Sequence, residues 1–273
     1  MINWSEFSIG EHRTTCPHCQ KKLRDKTLGL KIHADGRGVA HCFRCGFVEA
    51  SKGVVREYRA IKPVSSAPSP QKHERLSAYG QALWNACKPI SGIAEAYLKA
   101  RHCVIPPLDA DLRWHDALKH EPSRYVGAAL VALVTHAQTR EPLTLHRTWI
   151  LPTGKKADVE PARMMLGNHS SKGGVIRLWG DDYVSGGLGI AEGIETALSL
   201  AHGFTPVWAT IDAGHLSKFA VIRSVECLTI AVDQDQAGIK AANECAARWV
   251  SAGRTVYLTR QLVNDLNDLL EAA

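Results

Sequence analysis

IAVDQDQAG, residues Ile230–Gly238, is an apolar run that ends in two carboxylates, Asp233 and Asp235, followed by Gln-Ala-Gly. It reads as a buried strand running into the first turn of a helix. Acids at such a place have two uses. A carboxylate before a helix caps its free N–H groups and complements its dipole. Side chains two apart on an extended chain also share a face, so the pair can converge on a cation.

The flanking pattern extends this reading. GLGIAEG, PVWATID, CLTIAVD and RTVYLTR are short apolar strands. IETALSLAHG, QAGIKAANECAARWVSAG (closed by Gly253) and NDLNDLLEA are helical. Strands separated by helices of this size pair in parallel, with crossover helices on the sheet faces. Ligands then gather at the carboxyl ends of the strands. Glu192 closes one strand, Asp233 and Asp235 a second, and Asp265 and Asp268 follow the last. Any one of these acids could be a cap, and Glu195 suits the start of its helix. Three acidic strand ends are harder to explain that way. Clustered carboxylates need protonation or a cation, hard oxygen ligands select Mg²⁺ or Mn²⁺, and such ions suit phosphoryl transfer.

At the other end, CPHC (Cys16, Cys19) and CFRC (Cys42, Cys45) are separated by 22 residues. Paired C-x-x-C knuckles hold a tetrahedral Zn²⁺ with no open position, a structural site. LGLKIHADG and RGVAHCFRC fit a hairpin between the knuckles, with its turn at Asp35-Gly36. Arg13, Lys21, Lys22, Arg24, Lys26, Lys31, Arg37 and Arg44 surround the cysteines. Phe43 and Phe47 are available either for stacking on bases or for packing the small core. Cys87, Cys103, Cys227 and Cys245 read as small buried hydrophobes.

KPVSSAPSPQKH is a tether. Beyond it, helical spacing covers ERLSAYGQALWNAC and GIAEAYLKARH. YVGAALVALVTH and PLTLHRTWI are strands. Lys155, Lys156, Arg163 and Lys172 then fall among glycines, a cationic surface suited to phosphates. No G-x-x-x-x-G-K-[ST] is present, so no motor of that class is expected.

Charge separates along the 273 residues. Residues 1–60 carry 11 Lys/Arg against 6 Asp/Glu, residues 61–180 carry 16 against 9, and residues 181–273 carry 6 against 12. Two basic segments suit a polyanion; the acidic third suits cations. The absence of a secretory signal or a membrane-length apolar run leads to the expectation of a cytoplasmic protein that engages no membrane.

Glu192-Gly-x-Glu195, Asp233-x-Asp235-x-Ala-Gly and Asp265-Leu-Asn-Asp268 together resemble the TOPRIM domain. Primases, topoisomerases, recombination mediators and small nucleases share it. A Cys₄ ribbon, a basic middle and TOPRIM in one chain resemble the DNA primases of phages, prophages and plasmids. The stretch from LHRTWILPTGKKA through MMLG to GGVIRLW is similar to the segment preceding TOPRIM in that group. The zinc loop is long and the middle region short beside cellular primases, and no helicase like the one fused to some phage primases is expected.

The resemblance implies an α/β fold: a zinc ribbon over residues 1–60, a linker over 61–74, the basic part of a polymerase core over 75–180 and TOPRIM over 181–273, with a parallel sheet and flanking helices. It implies Mg²⁺-dependent synthesis of short RNA primers from NTPs on single-stranded DNA, with a separate replicative helicase as a partner. Glu192 would act as metal ligand or general base, Asp233 and Asp235 would hold Mg²⁺ or Mn²⁺, and Asp265 or Asp268 would complete the set. Lys155, Lys156, Arg163 and Lys172 would hold phosphates, with Arg44 and Phe43 meeting the template. A non-catalytic recombination mediator and a TOPRIM nuclease are the alternatives.

Overall fold

The computed structural model describes residues 2–19, 26–51 and 73–259, in two compact units divided at Ser69/Pro70. The linker up to residue 72, the final helix, Asp265 and Asp268, and Lys21, Lys22 and Arg24 lie outside the described residues.

In the first unit, strands β1 (Gly10–Thr14), β2 (Leu28–Ile32), β3 (Gly38–Cys42) and β4 (Val48–Ser51) form an antiparallel sheet in chain order. Strict alternation puts Leu28, Leu30 and Ile32 inward from β2, and Ala40 and Cys42 from β3. The β2–β3 hairpin turns at the expected Asp35-Gly36. Gly36 has φ +76°, and Asp35 Oδ1 accepts from Arg37 N at 3.0 Å. Among the described residues the core cluster here is six buried residues, helped by Trp4, Phe7 and Phe47. So little apolar surface needs a further staple.

The second unit begins with α1 (Ala78–Ala86) and α2 (Gly92–Ala100). Strands β5 (Leu112–Lys119), β6 (Val126–His136), β7 (Pro142–Trp149), β8 (Arg163–Met165) and β9 (Gly174–Arg177) follow. Then come β10 (Gly187–Ala191), α3 (Ile194–Leu200), β11 (Val207–Ala209), α4 (Ala213–Leu216), β12 (Cys227–Ile230), α5 (Gln236–Ser251) and β13 (Thr255–Leu258). All nine strands belong to one sheet, ordered β13-β12-β10-β11-β9-β6-β7-β8 with β5 on β6. The four C-terminal strands are parallel to one another, as their alternation with helices requires. The rest is antiparallel, and β9 joins the halves by pairing antiparallel with both β11 and β6.

Alternate strand residues feed opposite faces. Leu130, Ala132, Val207 and Ala209 pack with α2 and α3. Trp208, Leu228 and Ile230 pack with α5 through Ala241, Cys245 and Trp249. Val131, Leu145 and Trp149 pack with Trp84 of α1. No helix of the described residues is long and apolar enough to cross a membrane.

Arg177 holds the junction. Its guanidinium donates to Asp181 Oδ1 at 2.6 Å, to the Ala137 carbonyl at 2.9 Å and to Thr135 Oγ1, and lies 4.5 Å from the Trp208 ring centre. Burial pushes the carboxyl of neighbouring Asp111 up to about 6 despite the Arg177 charge. Arg177→Met leaves Asp181 and Asp111 without their buried cation, which costs about 3–5 kcal/mol. Urea denaturation followed by tryptophan fluorescence should show that loss.

Candidate functional site

The four cysteines converge. Cys16 Sγ lies 3.7 Å from Cys45 Sγ and Cys19 Sγ 3.9 Å from Cys42 Sγ, and all four sulfurs fall within 4.8 Å of one another. A tetrahedron of Zn–S bonds of about 2.3 Å has edges of about 3.8 Å, so the spacing fits Zn²⁺. Burial raises the Cys42 thiol. The backbone N–H groups of Cys45 and Arg44 and the Thr27 hydroxyl outweigh that and bring it down to about 6, favouring the ligating thiolate. Gly46, at φ +71°, turns the chain after the second knuckle.

The two phenylalanines diverge in role. Phe47 is half-buried and stacks on His18, with ring centres 5.6 Å apart. Phe43 is 59% exposed, with the Arg13 guanidinium 4.3 Å above it and His41 edge-on at 4.9 Å. Arg44 is exposed.

The acidic residues meet at the carboxyl ends of the parallel strands. Glu192 directly follows β10. β12 stops at Ile230, so Asp233 and Asp235 sit on the loop entering α5. Asp235 is the N-cap of α5, accepting from Gly238 N at 2.7 Å. The cap thus belongs to one acid of the pair, and Asp233 remains half-buried before it. Gly238 is required there, because a Cβ would come within 2.4 Å of the Asp233 carbonyl oxygen.

Among the described residues only the cysteines form a set of metal-ligating side chains within 4.8 Å of one another. The carboxylates are looser, but they feel each other. Burial, then Asp233, Asp235 and Asp212, push Glu192 up to about 8, although the Ala213 N–H donates to it. Glu192 Oε1 is buried with no hydrogen-bond partner. A buried acceptor surrounded by like charges fits a divalent cation.

Asp212, a fourth acid, follows β11 and belongs to the same group. The apolar run PVWATID reads through it as strand. In fact β11 ends at Ala209, and Ile211 takes φ +82°, turning the chain so that Asp212 caps α4.

Glu195, in the first turn of α3, is buried and points away from this cluster's chemistry. It accepts from the Tyr97 hydroxyl at 2.7 Å and lies 3.8 Å from Lys156 Nζ. Burial alone would raise its pKa. Lys156, Arg163 and Tyr97 hold it instead at about 2. His146 beside it is driven down to about 4 by burial and by the Arg163 charge. The four cations expected to hold phosphates are therefore not one group. Lys156 and Arg163 act on Glu195, and exposed Lys155 shares a cavity with Lys156 and Arg101. Exposed Lys172 lines a separate cavity with Asp212 and His215.

Two measurements follow from this geometry. The wild-type protein should bind one zinc per chain, and Cys42→Ser should lose it in a colorimetric metal-release assay. In chelator, Glu192 keeps its proton to about pH 8 when folded but loses it near its ordinary value when unfolded. Its contribution to stability is therefore greatest below that ordinary value and disappears as pH rises through about 8. Thermal melts from pH 5 to 9 should show this slope, and Glu192→Gln should flatten it.

Residues 187–273 match the model of the Toprim domain, and residues 74–178 match one described as "Domain of unknown function (DUF7146)". No curated protein matches the chain. Among solved structures, the primase fragment of the bacteriophage T7 primase-helicase protein is similar. It has 16% identity over 96% of this chain and 95% of that one, with a TM-score of 0.44. The zinc-binding and RNA polymerase domains of the Aquifex aeolicus primase align at 14% identity over 96% and 76%, with a TM-score of 0.49. Residues 187–273, with their parallel strands and acidic strand ends, are a Toprim domain.

Proposed function

We propose that the chain is a cytoplasmic DNA primase of phage or mobile-element type, which joins ribonucleotides on a single-stranded DNA template. One observation carries this reading: a buried, unpartnered glutamate oxygen among carboxylates in a Toprim domain, in the same chain as a Cys₄ ribbon.

Glu192, Asp233 and Asp235 would hold Mg²⁺ or Mn²⁺, with Asp265 or Asp268 from the segment beyond residue 259. When bound, the ion would neutralise phosphate charge and favour the ionised 3′-hydroxyl. Polymerisation is attack of that hydroxyl on the α-phosphate of an NTP, with pyrophosphate leaving in line. Glu192 would serve either as a ligand of the ion or, instead, as the base that accepts the hydroxyl proton. Lys155, Lys156, Arg163 and Lys172 are assigned to phosphates of NTP or template. Lys156 is oriented by Glu195. Phe43, flanked by Arg13 and neighbouring Arg44, is assigned to stacking on a template base. A separate replicative helicase is the expected partner.

Incubation with a library of single-stranded templates, Mg²⁺ and NTPs should yield short RNA. Asp233→Asn should lower the yield at least about 100-fold while template binding persists. Template fragments in place of new RNA would identify a nuclease. If wild type yields neither and Asp233→Asn changes nothing, the catalytic reading is wrong, and a binding-only mediator stands.

A further inference from the structure

Behind Asp212 lies a cavity whose lining includes, of the four cations assigned to phosphates, Lys172 alone. It has a volume of about 760 Å³ and is bounded by the 169–174 loop on one side and residues 212–220 on the other. Pockets for small ligands are typically of this size.

His215 fastens the two sides together. Its Nδ1 faces Asp212 Oδ1 at 2.9 Å, and its Nε2 faces the Ser171 carbonyl at 3.0 Å and Ser171 Oγ at 3.1 Å. A ring with acceptors at both nitrogens donates twice, which only the imidazolium can do. The Asp212 contact raises its pKa in keeping with that. The loop is built to lie close: Gly173 has φ +71°, and a Cβ there would come within 2.8 Å of His136 Nε2.

Lys172 and Lys218 line the same cavity, both exposed, and neither forms an ion pair with a described carboxylate. Against these three positive groups stands Asp212, whose carboxylate is already bonded to His215. The cavity is therefore cationic. It also adjoins the acidic strand ends, because the Ala213 N–H that follows Asp212 donates to Glu192.

We propose that this cavity is a phosphate-binding subsite, in which Lys172 and Lys218 receive a phosphate ester and present it to the acidic strand ends, while His215 fastens the 169–174 loop beside them. It is distinct from the cavity at Lys155 and Lys156. The inference rests on the primase reading for the identity of the ligand, either a nucleoside triphosphate or a single-stranded template. The shared chemistry is a phosphate with unesterified oxygens facing two ammonium groups.

The test is equilibrium binding to the full chain of two probes, a fluorescent ribonucleoside triphosphate and a labelled single-stranded oligodeoxynucleotide. Inorganic tripolyphosphate serves as competitor. Lys172→Ala/Lys218→Ala, checked for folding by its melting curve, should weaken one probe at least 10-fold. His215→Gln should weaken the same probe at least fivefold. Lys240→Ala, which removes an exposed charge from α5, should stay within twofold. Loss confined to the triphosphate, with tripolyphosphate competing in wild type, assigns the phosphate to a nucleotide. Loss confined to the oligonucleotide, with a log affinity–log salt slope shallower by about 1.4, assigns it to the template strand. If the double variant binds both probes within twofold of wild type, or Lys240→Ala weakens them equally, the subsite is refuted. Normal primer synthesis alongside unchanged binding would refute the subsite and leave the primase reading intact. Absent synthesis by the wild-type protein, alongside the expected binding loss in the double variant, would do the reverse.

Discussion

Four buried residues, Gly174–Arg177, hydrogen-bond along one edge to β6 and along the other to β11. A buried strand must satisfy every backbone donor and acceptor, so β9 has almost no freedom in register. Gly174 shows how tight the fit is: a Cβ there would meet Val134 Cγ1 at 2.5 Å and the Ser171 carbonyl at 2.8 Å. Because β9 is antiparallel to both neighbours, the end of β6 and the end of β11 lie beside its beginning. That single pairing brings the 169–173 loop against Asp212 and His215. The parallel half carries the acids together with His215 and Lys218, and the antiparallel half carries Lys172; β9 places them on one edge.

The acids themselves are held at a cost. A glutamate kept protonated to about pH 8 is one whose charged form the fold disfavours. Nothing in packing requires Glu192 to be acidic, since its Oε1 meets no donor. Local structure does explain its neighbours. Asp235 caps α5 and Asp212 caps α4, so two members of the group stabilise helices while adding to its charge. Residues that break local consistency without structural gain are the ones to read as functional, and here that residue is Glu192.

What could be read in the sequence was what repeats within a few residues. The alternation of β2 and β3, the 3.6-residue period of α5 and the strand–helix order after Leu188 follow from local pattern, as does the paired-knuckle spacing of the cysteines. Strand β5 carries no clean local pattern because its alternation breaks: the register shifts between His115 and Leu118, and Asp116 falls in the gap. The place of Asp212 is not legible locally because a β-branched residue at positive φ, Ile211, carries no signal of the turn it makes. The bond from Tyr97 to Glu195 joins residues 98 apart, and no local period reports that.

Net charge by segment was the least reliable guide, and the ion pairs show why. The excess of cations over residues 61–180 suggests a continuous basic surface. Many of those cations are already committed. Arg177 and Arg140 both pair with Asp181, Lys156 with Glu195, Arg75 with Glu141 and Lys88 with Asp116. The exposed pairs, Arg75–Glu141 and Lys88–Asp116, contribute little stability, but every pair removes a positive charge from the far field that a polyanion would feel. Three exposed lysines, Lys155 and Lys172 in this segment and Lys218 beyond it, form no ion pair with a described residue. On the proposed reading, recognition of phosphate by this unit would depend on a few positioned ammonium groups rather than on a diffuse basic face. Such an arrangement favours orientation at the reacting centre over long-range attraction.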